Sequence, residues 1–195
     1  MLNKKGFTLI EMVVVLAVIA VLAAILTPSI TRYIENARAH RAESDCKAIA
    51  AAIAKFNADV GEWPIWVSGM VTGYGDTSYD VLISSGEEVA QASGVTGWVQ
   101  SGSTVDELDN QLNENTPAYD TAARRRKWSG PYLPDLSEDP WGNKYLVNVE
   151  TLEPGGTKNA VFVLSAGQDE EISTLYSQNA KTAALSGDDI WCRIR

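Results

Sequence analysis

Glu11 stands alone at the head of an unbroken apolar run, Met12 to Leu26. A carboxylate in a membrane span is costly, by roughly 3 kcal/mol on insertion scales, so this one calls for a cation. A second acidic set, Asp169, Glu170 and Glu171, is answered further on by Asp188 and Asp189. Carboxylates held together repel one another unless a cation joins them, and calcium takes about six to eight oxygens from carboxylates and backbone carbonyls. The set is either a calcium loop or an ordinary solvated acidic loop. The two cysteines, Cys46 and Cys192, lie far apart and form no C-x-x-C or Cys/His cluster, which argues against zinc and against a thiol redox motif. His40, the single histidine, sits on a charged segment without a nucleophile pattern and is expected at the surface. No catalytic set and no phosphate-binding glycine loop is visible, so the chain is not expected to be an enzyme.

The bulk properties narrow the classes further. At 195 residues there is room for one domain and a membrane element. The mixture is 45% hydrophobic and 21% charged, as in an ordinary globular chain. The formal net charge of −9 argues against nucleic acid as a partner, because phosphate binding depends on Lys and Arg.

These side chains need elements to hold them. Residues 7–30 supply the roughly 20 apolar positions of a membrane helix. Lys4 and Lys5 precede it, so the N-terminus should stay cytoplasmic and the rest of the chain lie outside. The run is longer than a signal-peptide core and flows directly into a charged helical segment, which marks a retained anchor. Pro28 removes a hydrogen bond and should kink the helix. Residues 31–62 continue it as an amphipathic helix: Cys46, Ile49, Ile53, Phe56 and Val60 recur at spacings of three and four. Gly61 and then Pro64 should end it, after roughly 80 Å at 1.5 Å per residue.

Residues 63–195 are expected to form a C-terminal domain with an irregular surface insertion at about 67–120, rich in Gly, Ser, Thr, Asp and Asn. YDVLISSGEEVAQA and VDELDNQLNEN each have the length for a short helix. Arg124 to Lys127 make a basic run, either a solvated turn or a contact to an acidic neighbour. Asp139-Pro140-Trp141-Gly142 has the residues of a type I turn. Strands are expected at 145–149, 160–165 and 190–195, forming a small antiparallel sheet on the apolar stripe of the helix. Cys46 and Cys192 then both point inward. They are either two buried thiols or, outside the cytoplasm, a disulfide, which would close a loop of roughly 145 residues and contribute about 4–5 kcal/mol in the chain-entropy model.

GFTLIE at 6–11, after the short basic leader MLNKKG and before an apolar run with Pro28, resembles the processing signature of type IV pilins and of the pseudopilins of type II secretion. The resemblance implies a leader of residues 1–6, cleavage between Gly6 and Phe7 by a prepilin peptidase, and N-methylation of Phe7. Cleavage makes the Phe7 amine a cation one helical turn from Glu11. In a staggered filament Glu11 of one subunit can pair with the Phe7 amine of its neighbour, since a desolvated charge is tolerable only with a partner. An intrachain Glu11–Phe7 pair is the alternative. Ala20 stands where members of the family often have glycine.

GPYL followed by DPWGNKY, and LSAGQD followed by GDDI, resemble the major pseudopilin, as does ARAHRAESDCKAIAAAIAKFNADVGEWP. In that subfamily the loop binds calcium, and Asp188 and Asp189 match the Asp pair of its motif. The insertion and the loop from Gly167 to Gly187 are longer than usual for the subfamily. The resemblance implies a pilin-like α+β fold and a structural subunit of a helical pseudopilus, in a type II secretion system exporting proteins across the outer membrane. The chain would sit in membrane lipid of the inner membrane, its C-terminal domain in the periplasm, and then assemble. Its partners would be other copies of itself, minor pseudopilins, the prepilin peptidase and the inner-membrane secretion platform. The alternatives are a pilin of a surface type IV pilus, serving adhesion, motility or DNA uptake, and a membrane-anchored binding module that never polymerises.

Overall fold

The computed structural model describes residues 6–66, 79–98, 105–122, 126–133, 137–152 and 159–194. It divides into two compact units, residues 1–38 and 39–195. Lys4, Lys5, Arg124 and Arg125 lie outside the described residues, as do parts of the segment 67–120.

Helix α1 spans Leu9–Val60, 52 residues, and its first part is long and apolar enough to cross a membrane. Pro28 lies inside it without ending it. The Thr27 hydroxyl donates to the Ala23 carbonyl at 2.7 Å and the Thr31 hydroxyl to the Thr27 carbonyl at 3.2 Å, back-bonds of the kind that accompany a bend in a helix. In the first unit the apolar side chains face outward, from Val15 at 48% exposure to Leu9 at 82%. Within the described part of this unit nothing covers them. In the second unit the expected stripe is buried: Cys46, Ile49, Ile53, Phe56 and Val60, with Ala42, Ala50 and Ala52. His40 is exposed. The helix ends where glycine permits it. Gly61 takes φ +81° and donates its N–H to the Asn57 carbonyl at 2.8 Å. A Cβ there would meet the Arg126 side chain at 2.8 Å. That packing sets a cation of the basic run at the helix C-terminus, where the dipole favours it.

The sheet corrects the expectation of a purely antiparallel one. Among the described residues it has five strands, in the order β3 (Val105–Glu107), β1 (Val81–Ile83), β4 (Leu146–Asn148), β5 (Phe162–Ser165) and β7 (Ile190–Arg193). β4, β5 and β7 are the three strands expected, and they pair antiparallel. β1 adds antiparallel to β4, and β3 pairs parallel to β1, so the sheet is mixed. β2 (Ala90–Gln91) and β6 (Glu171–Ile172) form a separate parallel pair.

Alternate residues of each strand enter two cores, as the period of two requires. Leu82, Val147, Val163 and Cys192 pack with the stripe of α1. Val81, Ile83, Leu146, Phe162, Leu164 and Trp191 pack on the opposite face with Val89, Trp98, Ile172 and Tyr176. Both faces are covered, which is why FVLS reads as a continuous apolar run rather than an alternating one.

The segment 67–120 is therefore not a surface irregularity. Its described part supplies two strands of the sheet and the buried Val89 and Trp98 that close its second face. It also supplies helix α2 (Leu108–Leu112) and Tyr119, whose ring meets Phe56 edge-on at 4.9 Å. VLI is a strand and not the short helix its length allowed, because three apolar residues in mid-sheet gain more from burial on both faces than from one helical turn. GPYL seats Tyr132 against Phe56 at 5.4 Å. The Tyr132 N–H donates to the Leu112 carbonyl at 3.1 Å.

Candidate functional site

The N-terminal site begins with a helix cap. Thr8 precedes α1, and the Glu11 carboxylate accepts hydrogen bonds from the Thr8 N–H and the Thr8 hydroxyl, both at 2.8 Å. The Glu11 N–H reaches back to the Thr8 hydroxyl at 3.4 Å. This is a capping box, T-x-x-E, in which two orphan donors of a helix start are satisfied reciprocally. The pattern was present in Thr8-Leu9-Ile10-Glu11 as a local signal, and the cap gives Glu11 an intrachain role beside the charge pairing expected of it. Gly6 and Phe7 lie outside the helix and are exposed. A Cβ added at Gly6 would meet nothing within 4 Å, so the Gly6–Phe7 bond is sterically open.

The acidic loops lie where the pairing of Ser165 with Ile190 brings the ends of β5 and β7 together. The Asp188 carboxylate accepts the N–H groups of Gln168 at 2.7 Å and Asp169 at 3.1 Å. Asp169 accepts the N–H of Glu171 at 2.9 Å. Burial and the neighbouring Asp188 carboxylate both push the Asp169 carboxyl above the usual range. Asp189 is buried, and its Oδ2 accepts the N–H groups of Ser173 at 3.0 Å and Thr174 at 2.6 Å. Burial raises its carboxyl to about 6. Its second oxygen, Oδ1, is buried without a hydrogen-bond partner, a position that costs free energy unless something else approaches it. Glycine makes the approach of the two loops possible: Gly167 takes φ +77°, and a Cβ there would lie 2.4 Å from the Asp188 carbonyl oxygen.

The two loops thus set Asp169 beside Asp188 and near Asp189. Among the described residues no group of three or more His, Cys, Asp or Glu side chains is spaced to hold a metal ion. The buried Oδ1 of Asp189 is the one feature of the cluster that leaves room for an additional partner.

Two side chains, Asp139 of the expected turn and Asn148, hold this region to the rest of the sheet. Asp139 caps its own turn, accepting the N–H groups of Trp141 and Asn143, each at 2.9 Å, and its other oxygen accepts the Ser165 hydroxyl at 2.7 Å. The Gly142 N–H donates to the Asp139 carbonyl at 3.0 Å and closes the expected turn. Asn148 donates to the carbonyls of Ala160 and Tyr176 and accepts the Phe162 N–H at 2.8 Å. Asx turns leave a sequence signal in Asp-Pro-x-Gly; a buried amide bridging three segments leaves none.

Residues 1–27 match the family described as the prokaryotic N-terminal methylation motif, and residues 106–181 match type II secretion system protein G. Type II secretion system core protein G of Aeromonas hydrophila is 25% identical over 172 residues, 88% of this chain and 88% of that protein. Its namesake in Pseudomonas aeruginosa is 27% identical over 167 residues, 86% of this chain and 85% of that protein. Fimbrial protein EcpC of Eikenella corrodens is 36% identical, but over 61 residues, 31% of this chain and 40% of that protein. No solved structure is significantly similar. The fimbrial similarity stops within a third of the chain, whereas the secretion similarity runs through helix and sheet alike. The chain is thus similar to the N-terminal methylation motif over its first 27 residues, to type II secretion system protein G over residues 106–181, and over most of its length to the core G proteins of type II secretion.

Proposed function

We propose that the protein is a non-catalytic structural subunit, the major pseudopilin of a type II secretion system. In this role it is cut between Gly6 and Phe7, waits in the inner membrane, and then polymerises into a helical periplasmic filament. The observation that carries the proposal is the pairing of a bare apolar helix with a covered domain. The side chains of the first unit are exposed along the whole helix from Phe7 to Ile34, while the second unit buries its apolar stripe. Such a helix is stable in lipid or among copies of itself, and a head-to-tail contact that does not close propagates as a filament. Intact-mass analysis of the membrane-extracted chain should find Phe7 as the N-terminus, N-methylated, and electron microscopy of cells that co-express the secretion platform should find filaments. A chain retaining Met1 to Gly6 beside an active prepilin peptidase, or processed chain without filaments, would reject the proposal.

Calcium at the acidic loops belongs to the same reading. The ion would neutralise Asp169, Asp188 and Asp189 and lock the loop after β5 to the start of β7. Alanine at Asp188 and Asp189 would also remove acceptors for four backbone N–H groups, so asparagine is the cleaner substitution. The full chain in detergent should melt higher in calcium than in chelator, because a ligand that binds only the folded state stabilises it by mass action. Asp188→Asn with Asp189→Asn should lose that difference. Equal responses of wild type and variant would show that the pair holds no calcium.

A further inference from the structure

We propose that Cys46 and Cys192 form an intrachain disulfide that staples the last strand of the sheet to the inner face of α1. The two residues come from elements at opposite ends of the second unit, and both thiols are free in the structure. They belong to one packing cluster: Cys46 is fully buried within it, and Cys192 packs against it from β7. The Cys46 Sγ lies 3.8 Å from the carbonyl oxygen of Ile190, which precedes Cys192 by two residues and so shares its strand face. Each thiol also feels a common set of charges. Cys192 and Glu43 both disfavour the thiolate of Cys46, while Lys47, next to Cys46 on the helix, favours that of Cys192. Neither cysteine has another role in the assembly or acidic-loop sites.

The chemistry is dithiol oxidation by thiol–disulfide exchange, with a protein or small-molecule disulfide as oxidant. Burial raises the Cys192 thiol as well, with Lys47 opposing it, but Cys192 is only partly buried and is therefore the first thiol a donor disulfide can reach. Its thiol gives its proton to solvent, attacks one sulfur of the donor disulfide and releases the other as a thiol. Cys46 then loses its proton and attacks the Cys192 sulfur, expelling the second donor thiol. Two cysteine thiols are oxidised and one donor disulfide is reduced. Burial raises the Cys46 thiol strongly, so Cys46 is the resolving thiol and not the one that meets the donor. β7 is an edge strand, and Asp188 and Asp189 immediately precede it. Pinning its Cys192 to the helix therefore also fixes the acidic loop that it carries.

The bridge in cells rests on the reading that the second unit lies outside the cytoplasm; its geometry does not. The test therefore has two arms, both on the full chain in detergent. Purified reduced protein is treated with oxidised glutathione, and protein taken directly from membranes is denatured with an alkylating agent before any reduction. Each sample is then mapped by mass. The expected result in both arms is a Cys46–Cys192 peptide and a chain about two mass units lighter than the dithiol. Reducing wild type, or replacing it by Cys192→Ser, should lower the melting temperature by roughly 5–10 °C, to a common value. A glutathione adduct on Cys192 with Cys46 still alkylatable, or a chain-to-chain link, would overturn the pairing itself. A bridge formed with glutathione but both thiols alkylatable in the membrane sample would overturn the native bridge, and would point to the compartment rather than the geometry.

Discussion

Glu11→Ala is expected to reach the membrane at normal levels and to form almost no filaments. Insertion becomes easier, because the substitution removes a carboxylate that costs roughly 3 kcal/mol in a span. On the proposed staggered assembly, growth becomes harder, because the Phe7 amine of the neighbouring subunit would lose its buried partner. Removing one half of a buried ion pair typically costs about 3–5 kcal/mol, and the loss recurs at every subunit contact. The capping box adds a confounding term: Glu11 also satisfies the Thr8 N–H at 2.8 Å, and alanine would fray the helix start as well.

Glu11→Gln separates the two. Glutamine serves a capping box as glutamate does, but it cannot neutralise an amine. If the charge sets the stagger, the glutamine variant should assemble poorly too. If it assembles like wild type, with alanine defective, then Glu11 acts only as a cap. Filament yield by shearing and microscopy, normalised to membrane-bound subunit, is the measurement. Normal filaments from Glu11→Ala would remove Glu11 from assembly altogether.

Trp98→Ala should be among the most destabilising single changes outside the helix, although Trp98 lies in a segment whose composition suggests a surface loop. Its side chain is fully buried. Its ring meets Tyr176 at 5.1 Å and Phe162 at 5.7 Å, and its indole N–H donates to the Thr174 carbonyl at 2.9 Å. Its own backbone is clamped from both sides by the Gln91 amide. Truncating a buried tryptophan costs about 3–5 kcal/mol, which for a chain of this size lowers the melting temperature by roughly 10 °C. Leu175→Ala is the control. Leu175 is 53% exposed, and a surface change of this kind stays within about 0.5 kcal/mol. Thermal melts of the full chain in detergent decide it. Equal melting temperatures for the two variants would mean that the second face of the sheet contributes little to stability.

The residues by themselves determined whatever a short stretch of chain can specify. The apolar run after Glu11 and the three-and-four spacing from Cys46 to Val60 each act within a few turns of one helix, so periodicity reveals them, while GFTLIE at 6–11 was legible through its resemblance to a processing signature. Gly61 and Asp139-Pro140-Trp141-Gly142 work the same way, since a positive φ or a fixed turn restricts which residues can stand there. The strands β4, β5 and β7 were legible because aromatic and β-branched residues cluster between turns. Only the tertiary structure decided the rest. β1 and β3 are three residues each, too short to show a period of two, and they pair in parallel across a long connection that leaves no hairpin signal. Trp98 is buried by partners from β5 and from the loop after β6, which no local pattern around it announces. The acidic residues were visible as a set, but their hydrogen bonds were not. Which amides Asp188 and Asp189 accept, and that one oxygen of Asp189 is left buried and unpaired, depends on two loops meeting across the β5–β7 pairing, made possible by the missing side chain of Gly167.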